Sequence, residues 1–306
     1  MDPILPPERV RAMRAAGWWR ERYLYEHFAA AVAAAPERIA VVDYRTETGT
    51  RHALTYRELD DRVARVAAAL QRLGIRPGEV VSFQLPNWWE FVAIHLACLR
   101  IGAVSNPLMP IFRERELGFM VDFAESRVLI VPARFRGFDH EAMIAGMRTK
   151  LPKLEHLFVV GGEGGNAFET ALLGFEPVVA APVPEPDPSA VIMLMYTSGT
   201  TGMPKGVMHC SYPLDYNVAR IIERCRLTAD DVIFMGSPLA HLTGFLYGMW
   251  MPMMLGATMV LQDVWQPETA WRLIGEERVS FAMGATPFLA DLTHSEARKA
   301  HNSARF

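Results

Sequence analysis

The sequence predicts an α/β fold of layered, largely parallel sheets flanked by helices. Short, continuous apolar runs are typical of strands that are buried on both faces of a sheet, and they alternate here with longer segments that have helical patterning. A hydrophobic share of 51% and a charged share of 21% supply a large core and exclude intrinsic disorder. The 306 residues suffice for two domains or for one large α/β domain.

The first elements alternate regularly between helix and strand. Thr55 and Glu58 form a capping-box pattern near the start of the first predicted helix, and Gly74 follows its end. Gly102 ends the second helix in the same way. We predict helices over residues 53–73, 88–100 and 115–124, and strands over residues 80–85, 103–105, 128–131 and 157–160.

A proline-rich stretch interrupts this alternation. Five of the twelve residues from 177 to 188 are proline, and such a run is extended and cannot continue a helix. We therefore predict that residues 1–187 form the first α/β half of a large domain. Residues 188–306 would form a second segment of the same domain, which carries the chemistry.

A candidate phosphate-binding loop lies directly after this stretch. An apolar strand is predicted over 190–196, and residues 197–206 then contain four hydroxyl side chains, three glycines and Lys205. Glycines allow successive backbone N–H groups to point at an anion, and lysine supplies a compact positive charge. Pro204 precedes the lysine and Gly206 follows it, so the loop is not a Walker motif. The alternative is a polar hairpin without a ligand.

From Tyr196 to Gly206 the chain resembles the signature loop of the adenylate-forming superfamily, which includes acyl-CoA synthetases, luciferases and peptide-synthetase adenylation domains. Residues 54–59 and 99–104 are similar to earlier segments of that family, and residues 237–245 resemble its acyl-site motif. The similarity runs from about Tyr25 onward. Residues 106–114 are similar to ligases for fatty, cyclohexane-type or related carboxylic acids.

The resemblance implies a two-step reaction. ATP would activate a carboxylic acid, fatty or alicyclic, to an acyl-adenylate, and the acyl group would then pass to CoA. The implied ATP phosphate-binding residues are Thr197, Ser198, Gly199, Thr200, Thr201, Gly202 and Lys205. The implied catalytic residues are Lys205, Thr200 and His241, with Thr200 and Thr201 as neighbours of Mg²⁺. The implied acyl-pocket residues are His241, Gly244, Phe245 and Trp250.

Two of these assignments have a structural alternative. A single histidine beside Leu242 is more often a hydrogen-bonded core residue than a catalytic one. Trp250 is equally well explained as part of an ordinary helix core. The family also places its adenine-binding, ribose-binding and C-terminal catalytic residues downstream of Phe306. The second hypothesis is therefore a non-catalytic fragment of such a ligase, incomplete at the C-terminus, that at most binds nucleotide.

Three other stretches of the sequence are better explained by structure than by a binding or membrane function. Residues 162–167 satisfy the dinucleotide-binding pattern G-x-G-x-x-A, but no strand with a terminal acidic residue follows at the required distance, so we predict a surface loop. Residues 232–262 lack Asp, Glu, Lys and Arg, yet prolines and glycines divide them into a helix near 242–255 and a strand near 257–262, which argues against a membrane span. The aromatic residues between Trp18 and Phe28 predict an anchoring segment.

Charge and cysteine content restrict partners and compartment. The formal net charge of −3 provides no general attraction for nucleic acid. The three cysteines Cys98, Cys210 and Cys225 are too few and too widely spaced for a disulfide framework or a zinc site, which fits a reducing cytosol. No signal peptide is visible at the N-terminus. We therefore expect a cytoplasmic protein without a transmembrane segment.

Overall fold

A computed structural model describes residues 5–176, 187–197, 204–301 and 304–306. The α-helices within these ranges are α1 (Pro7–Ala15), α2 (Leu24–Ala34), α3 (Tyr56–Arg72), α4 (Trp89–Ile101), α5 (Glu114–Phe123), α6 (His140–Met147), α7 (Phe168–Ala171), α8 (Ser211–Cys225), α9 (Met251–Leu255), α10 (Pro267–Glu276) and α11 (Thr286–His294). The strands are β1 (Ile39–Arg45), β2 (Thr50–Thr55), β3 (Val80–Phe83), β4 (Val104–Pro107), β5 (Val128–Pro132), β6 (Arg134–Phe135), β7 (Phe138–Asp139), β8 (His156–Val160), β9 (Met193–Thr197), β10 (Lys205–His209), β11 (Val232–Met235), β12 (Thr258–Gln262) and β13 (Phe281–Ala282).

The chain forms two compact units, each built from three segments. The first unit comprises Met1–Tyr25, Asp61–Pro86 and Ala93–Asp215. The second unit comprises Glu26–Asp60, Asn87–Val92 and Tyr216–Phe306. The predicted division at residue 187 stays a prediction, because residues 177–186 lie outside the described ranges.

A six-stranded sheet is the centre of the first unit. Its strand order is β10-β9-β4-β3-β5-β8, and all neighbours are parallel except β10 and β9. All residues of β3, β4 and β5 are buried, as the continuous apolar runs predict for strands covered on both faces. Leu117 and Met120 of α5 and Ile144 of α6 pack with Leu129 and Val131 of β5 in one hydrophobic cluster.

A five-stranded sheet is the centre of the second unit. Its order is β13-β11-β12-β1-β2, with β2 antiparallel to β1 and the other pairs parallel. Trp271 of α10 packs with Phe234 and Val260 of the sheet, and its indole Nε1 donates a hydrogen bond to the Leu292 carbonyl oxygen (2.9 Å). The α/β class with largely parallel sheets, expected from the sequence, is therefore confirmed.

The first predicted helix begins later than the sequence pattern suggests. Residues 53–55 belong to β2, where Ala53 pairs with Val42 and Leu54 with Val41 of β1. These residues form backbone hydrogen bonds with β1 in the sheet, and this pairing outweighs their helical periodicity. The local sequence pattern does not reveal the pairing. The predicted capping box is confirmed at the true start of the helix. The Thr55 N–H donates to Glu58 Oε2 (2.8 Å), and the Glu58 N–H donates to Thr55 Oγ1 (3.2 Å).

We expect Glu58→Ala to lower the free energy of unfolding by about 1 kcal/mol, because it leaves the backbone donor at Thr55 without its side-chain acceptor. Denaturant unfolding followed by circular dichroism measures the change. Glu58→Gln retains an oxygen acceptor and is the matched control, with a smaller expected loss. Equal losses in the two variants would contradict the capping role.

The charge-free stretch from 232 to 262 folds as several short elements. β11 is followed by a π-helix (Gly244–Trp250), then by α9 and β12. The predicted helix over 242–255 is therefore confirmed in its extent, and the structure adds that Gly244–Trp250 have π rather than α hydrogen bonding. α9 ends at Gly256, whose φ of +68° favours glycine. Across the described part of the chain, no helix has both the length and the apolarity that a membrane span requires.

The N-terminal aromatic segment packs as predicted, except at its first residue. The Trp19 ring stacks on Tyr212 with the ring centroids 5.2 Å apart, and the Tyr23 hydroxyl donates to the Leu99 carbonyl oxygen (3.1 Å). Trp18, in contrast, is 53% exposed. The G-x-G-x-x-A segment forms a three-residue 3₁₀ helix (Gly164–Asn166) before the four-residue α7, which supports the surface-loop interpretation.

Candidate functional site

The two ends of the predicted phosphate loop lie side by side in the β9–β10 hairpin. Thr197 is the last residue of β9, Lys205 is the first residue of β10, and the two are directly paired in the antiparallel ladder. Both residues are exposed. Five further predicted phosphate ligands lie outside the described residues, namely Ser198, Gly199, Thr200, Thr201 and Gly202. The catalytic role of Thr200 and the magnesium assignment to Thr200 and Thr201 therefore stay predictions.

A tyrosine holds the hairpin at the point where β9 leads into the loop. The Tyr196 hydroxyl donates to the Met120 carbonyl oxygen at the end of α5 (3.0 Å). Burial raises the pKa of Tyr196 to about 12, so the hydroxyl stays neutral and remains a donor at physiological pH. The start of the loop is thus fixed by one side-chain hydrogen bond in addition to the backbone ladder.

The predicted acyl-site motif begins with a tight turn in the second unit. A Cβ atom on Gly244 would lie 2.2 Å from the Pro238 carbonyl oxygen, so only glycine fits at this position. The His241 N–H donates to the Pro238 carbonyl oxygen (3.0 Å), and the His241 carbonyl oxygen accepts from the Phe245 N–H (2.9 Å). The His241 side chain is exposed, which excludes the core alternative for this histidine.

Phe245 and Trp250 are fully buried in the π-helix of the same motif. Their rings contact each other in an edge-on arrangement with the centroids 6.5 Å apart. Full burial is compatible with core packing and equally with the closed wall of a pocket. The acyl-pocket assignment of Gly244, Phe245, Trp250 and His241 therefore stays a prediction.

Asn87 is a positioning residue that the sequence analysis missed. Its side chain is 97% buried, and Nδ2 donates to the carbonyl oxygens of Ser237 (2.9 Å) and Gln262 (3.0 Å). Its Oδ1 accepts from the Leu239 N–H (2.8 Å). One amide thus joins the acyl-site motif to the end of β12. Its position between Pro86 and Trp88 is the only local signal, and its partners lie 150 to 175 residues away.

An apolar groove lies at the carboxyl ends of the parallel strands of the second unit, where α/β sheets usually bind ligands. The Trp265 ring forms one wall, packed edge-on against Phe288 (centroids 4.8 Å apart). Its Nε1 donates to Asp291 Oδ2 (2.8 Å), which holds the indole in place. The residues lining the groove are Phe234, Gly236, Ser237, Trp265, Ala282, Met283, Gly284, Phe288, Leu289 and Leu292.

Buried charges hold the segment around Asn87. The fully buried Asp43 accepts hydrogen bonds from the Trp89 N–H (3.1 Å) and pairs with His52 Nδ1 (2.7 Å). Arg45 Nη2 donates a hydrogen bond to Glu90 Oε1 (2.6 Å), and its guanidinium stacks on the Trp88 ring. Burial raises the pKa of Glu90 to about 7, with Arg45 opposing the shift and Asp43 adding to it.

The raised pKa of Glu90 makes folding stability depend on pH. The folded state keeps the Glu90 proton up to about pH 7, whereas the unfolded chain releases it near pH 4.5, so this contribution to stability is lost as pH rises through 7. We expect the free energy of unfolding of the wild type, relative to Glu90→Gln, to fall between pH 5 and pH 8. The slope is at most about 1.4 kcal/mol per pH unit. Urea titrations across this range measure it, and parallel curves would contradict the assignment.

The profile of the family described as "AMP-binding enzyme" matches residues 28–306. The chain belongs to the AMP-binding enzyme family. The resemblance noted in the sequence is thereby confirmed.

No described group of three or more His, Cys, Asp or Glu side chains is arranged to hold a metal ion.

Relatives within the AMP-binding enzyme family differ in the acids that their names contain. The chain is 34% identical over 292 residues to the medium-chain fatty-acid–CoA ligase of Escherichia coli, covering 93% of this chain and 50% of that protein. It is also 34% identical over 288 residues to the salicyl-AMP ligase / salicyl-S-ArCP synthetase of Mycobacterium tuberculosis, covering 94% of this chain and 50% of that protein. The chain thus spans about half the length of these curated relatives.

Solved structures of AMP-binding enzymes agree with the observed fold. The apo structure of MbtA from Mycobacterium smegmatis matches with a TM-score of 0.80 at 34% identity, covering 92% of this chain and 51% of that chain. The N-terminal domain of FACL13 from Mycobacterium tuberculosis matches with a TM-score of 0.81 at 22% identity, covering 93% and 68%. At that lower identity the second match concerns the fold alone.

Proposed function

We propose that this chain takes part in the ATP-dependent activation of a carboxylic acid to an acyl-adenylate, followed by formation of a thioester with CoA. Membership of the AMP-binding enzyme family over residues 28–306 carries this proposal. The β9–β10 hairpin supports it, because it holds the exposed Lys205 opposite Thr197 at the two ends of the predicted phosphate loop.

In the first step an oxygen of the carboxylate attacks the α-phosphorus of ATP. The bond from that phosphorus to the bridging oxygen breaks, and pyrophosphate leaves. Two anions must approach each other, so catalysis consists mainly of positioning and charge stabilisation. Lys205 would hold the β- and γ-phosphates by its ammonium charge, with hydroxyl and N–H donors of residues 197–202. Thr200 and Thr201 would lie beside Mg²⁺, which would neutralise phosphate charge when bound.

In the second step the sulfur of CoA attacks the acyl carbon and AMP leaves. His241 is the candidate side chain beside the reacting carboxyl group, and its exposed imidazole is accessible to a ligand. We propose a fatty or alicyclic acid as the substrate. The name of the E. coli relative supports this class of acid. A hydroxylated aromatic acid is the alternative that the salicyl relative suggests.

A second candidate function is nucleotide binding without catalysis. The coverage of about half of each curated relative favours it, because the sequence resemblance implies that the family's adenine-binding motif and C-terminal catalytic lysine lie downstream of Phe306. Under this hypothesis the 306-residue chain binds ATP but needs further residues for adenylation.

Carboxylate-dependent ATP–pyrophosphate exchange distinguishes the two functions. The assay compares the 306-residue chain with a version extended by the C-terminal half of the E. coli relative, using octanoate, cyclohexanecarboxylate and salicylate. Exchange by the 306-residue chain would exclude the non-catalytic function. Exchange by the extended version alone would support it. Faster exchange with salicylate than with octanoate and cyclohexanecarboxylate would overturn the proposed substrate class.

The chain is further proposed to act in the cytoplasm. The described cysteines are free thiols, with Cys98 and Cys210 buried and Cys225 exposed, as expected in a reducing compartment. The small-molecule partners would be the acid, ATP and CoA.

A further inference from the structure

A histidine is buried in the apolar helix α4, and the proposed function assigns it no role. His95 is completely buried, as are its neighbours Ile94 and Leu96. Burial lowers the pKa of His95 to about 3, so the imidazole is neutral at physiological pH and carries a single N–H donor. A polar ring in such a place costs free energy unless it is hydrogen-bonded. Its hydrogen-bond partner therefore indicates what the histidine does.

His95 begins a chain of hydrogen bonds that ends on the backbone just before β9. Its Nδ1 lies 2.8 Å from Ser105 Oγ of β4, and Ser105 Oγ donates to the Ile192 carbonyl oxygen (3.3 Å). A hydroxyl has one proton, and a carbonyl oxygen cannot donate, so the Ser105 proton points to Ile192. Because that proton is already used, Nδ1 of His95 carries the imidazole proton and donates to Ser105 Oγ. All three residues are buried.

Ile192 connects the β9–β10 hairpin to the rest of its sheet. Its carbonyl oxygen also accepts a hydrogen bond from the Ser105 N–H (3.0 Å), which holds it to β4. Its own N–H donates to the carbonyl oxygen of His209, the last residue of β10 (2.9 Å). The hydrogen-bond chain from His95 therefore ends at a residue that contacts both β4 and β10.

The backbone pairing between β4 and β9 is short. Among the described residues, Ser105 and Met193 are the only register pair between these strands, whereas β3 and β4 form four pairs and β9 and β10 form five. The side-chain hydrogen bond to Ile192 is therefore a large part of the attachment of β9 to β4. β9 ends at Thr197, which pairs with Lys205, so a displacement of β9 would move both ends of the predicted phosphate loop.

We propose that His95 is a positioning residue that, through Ser105, fixes β9 and with it both ends of the predicted phosphate loop. Two apolar side chains could fill the same space with little loss of stability. They would, however, leave the Ile192 carbonyl oxygen without its directional side-chain donor. The part of this inference that concerns ATP rests on the proposed function, whereas the attachment of the hairpin does not.

The first test measures amide hydrogen exchange by mass spectrometry in the 306-residue chain. The measured quantity is the exchange rate of a peptide that spans β9 and β10, divided by the rate for β5. His95→Leu and the double variant His95→Leu/Ser105→Ala should each raise this ratio about fivefold or more, because a hydrogen bond that holds the hairpin is lost. His95→Asn places an N–H donor near the position of Nδ1 and should restore the ratio.

The matched control is His140→Leu. His140 is also completely buried in the first unit, and its Nδ1 is hydrogen-bonded to Gln84 Oε1 (3.1 Å), away from β9 and β10. Its replacement should leave the exchange ratio unchanged. An equal rise of the ratio in His140→Leu would overturn the proposal.

The double variant separates positioning from a merely structural role. It replaces both hydrogen-bond partners by apolar side chains, so its thermal stability should lie closer to the wild type than that of His95→Leu. The exchange ratio should nevertheless stay raised, because the donor to the Ile192 carbonyl oxygen is still missing. A ratio that returns to the wild-type value together with the stability would contradict the positioning role.

ATP–pyrophosphate exchange gives a second readout, in the shortest version of the chain that supports it. The double variant should raise the KM for ATP about fivefold or more and leave the KM for the acid unchanged. An equal rise in both KM values would remove the link between His95 and the phosphate loop. If no wild-type version supports exchange, the proposed function fails, and the hydrogen-exchange ratio still decides whether His95 fixes the hairpin.

Discussion

Replacement of Lys205 by alanine is expected to slow carboxylate-dependent ATP–pyrophosphate exchange by at least about 100-fold. Lys205 supplies the only positive charge in the predicted phosphate loop, and the loss of one preorganised group that stabilises developing charge typically costs this factor. Because Lys205 is exposed at the start of β10, its removal should leave the free energy of unfolding nearly unchanged. The rate is measured in the shortest version of the chain that supports exchange.

The matched control for Lys205 is Lys153→Ala. Lys153 is also exposed, and it forms a surface ion pair with Glu125, a type of contact that contributes little to stability. Lys205→Arg adds a second comparison, because it keeps the positive charge but replaces a compact ammonium group by a planar guanidinium group. An exchange rate in Lys205→Ala equal to that of Lys153→Ala would remove the phosphate-loop assignment. Equilibrium ATP binding to the 306-residue chain gives an independent readout.

Replacement of Asn87 by alanine is expected to have the largest effect on stability, a loss of about 2–4 kcal/mol in the free energy of unfolding. The variant leaves the Ser237 and Gln262 carbonyl oxygens and the Leu239 N–H without their buried partner. Guanidinium titration measures the loss. Because these groups lie in and beside the acyl-site motif, the KM for the acid should also rise in any version of the chain that is active.

Asn217→Ala is the matched control for Asn87. Asn217 is exposed and accepts one hydrogen bond from the Tyr247 hydroxyl (2.7 Å), so its replacement should cost less than about 1 kcal/mol. Asn87→Asp keeps the acceptor for Leu239 but loses the amide donor, and its cost should be at least that of the alanine variant. A loss in Asn87→Ala no greater than in Asn217→Ala would contradict the positioning role.

Local sequence patterns predicted the structure correctly where it depends on residues that are close together in the chain. β3, β4 and β5 are buried along their whole length because both faces of their sheet are covered, and their mostly apolar residues make this visible within a few consecutive positions. The Thr55–Glu58 capping box is another local feature, since its two hydrogen bonds span three residues. The family resemblance likewise depended on contiguous motifs.

Features that depend on distant residues were not predictable from local patterns. Residues 53–55 have helical periodicity but pair with β1 as a strand. In the π-helix, a Cβ on Gly244 would clash with Pro238 and one on Gly248 would clash with Met235, and local propensity does not reveal these close approaches. The roles of Asn87 and of the Arg45–Glu90 hydrogen bond require partners 45 to 175 residues away. Trp265 was missed for the same reason, because its contacts are with Phe288 and Asp291.

The position of β1 between β12 and β2 in its sheet has a consequence for synthesis on the ribosome. β1 ends at residue 45, but its parallel neighbour β12 begins only at residue 258. At about 5–20 residues per second, translation of the intervening chain takes roughly 10–40 seconds. During that time Val41 and Val42 have only β2 as a strand partner, whereas residues 61–86 and 93–215 of the other unit have already emerged. We therefore expect nascent chains shorter than about 260 residues to recruit chaperones through the uncovered β1–β2 hairpin.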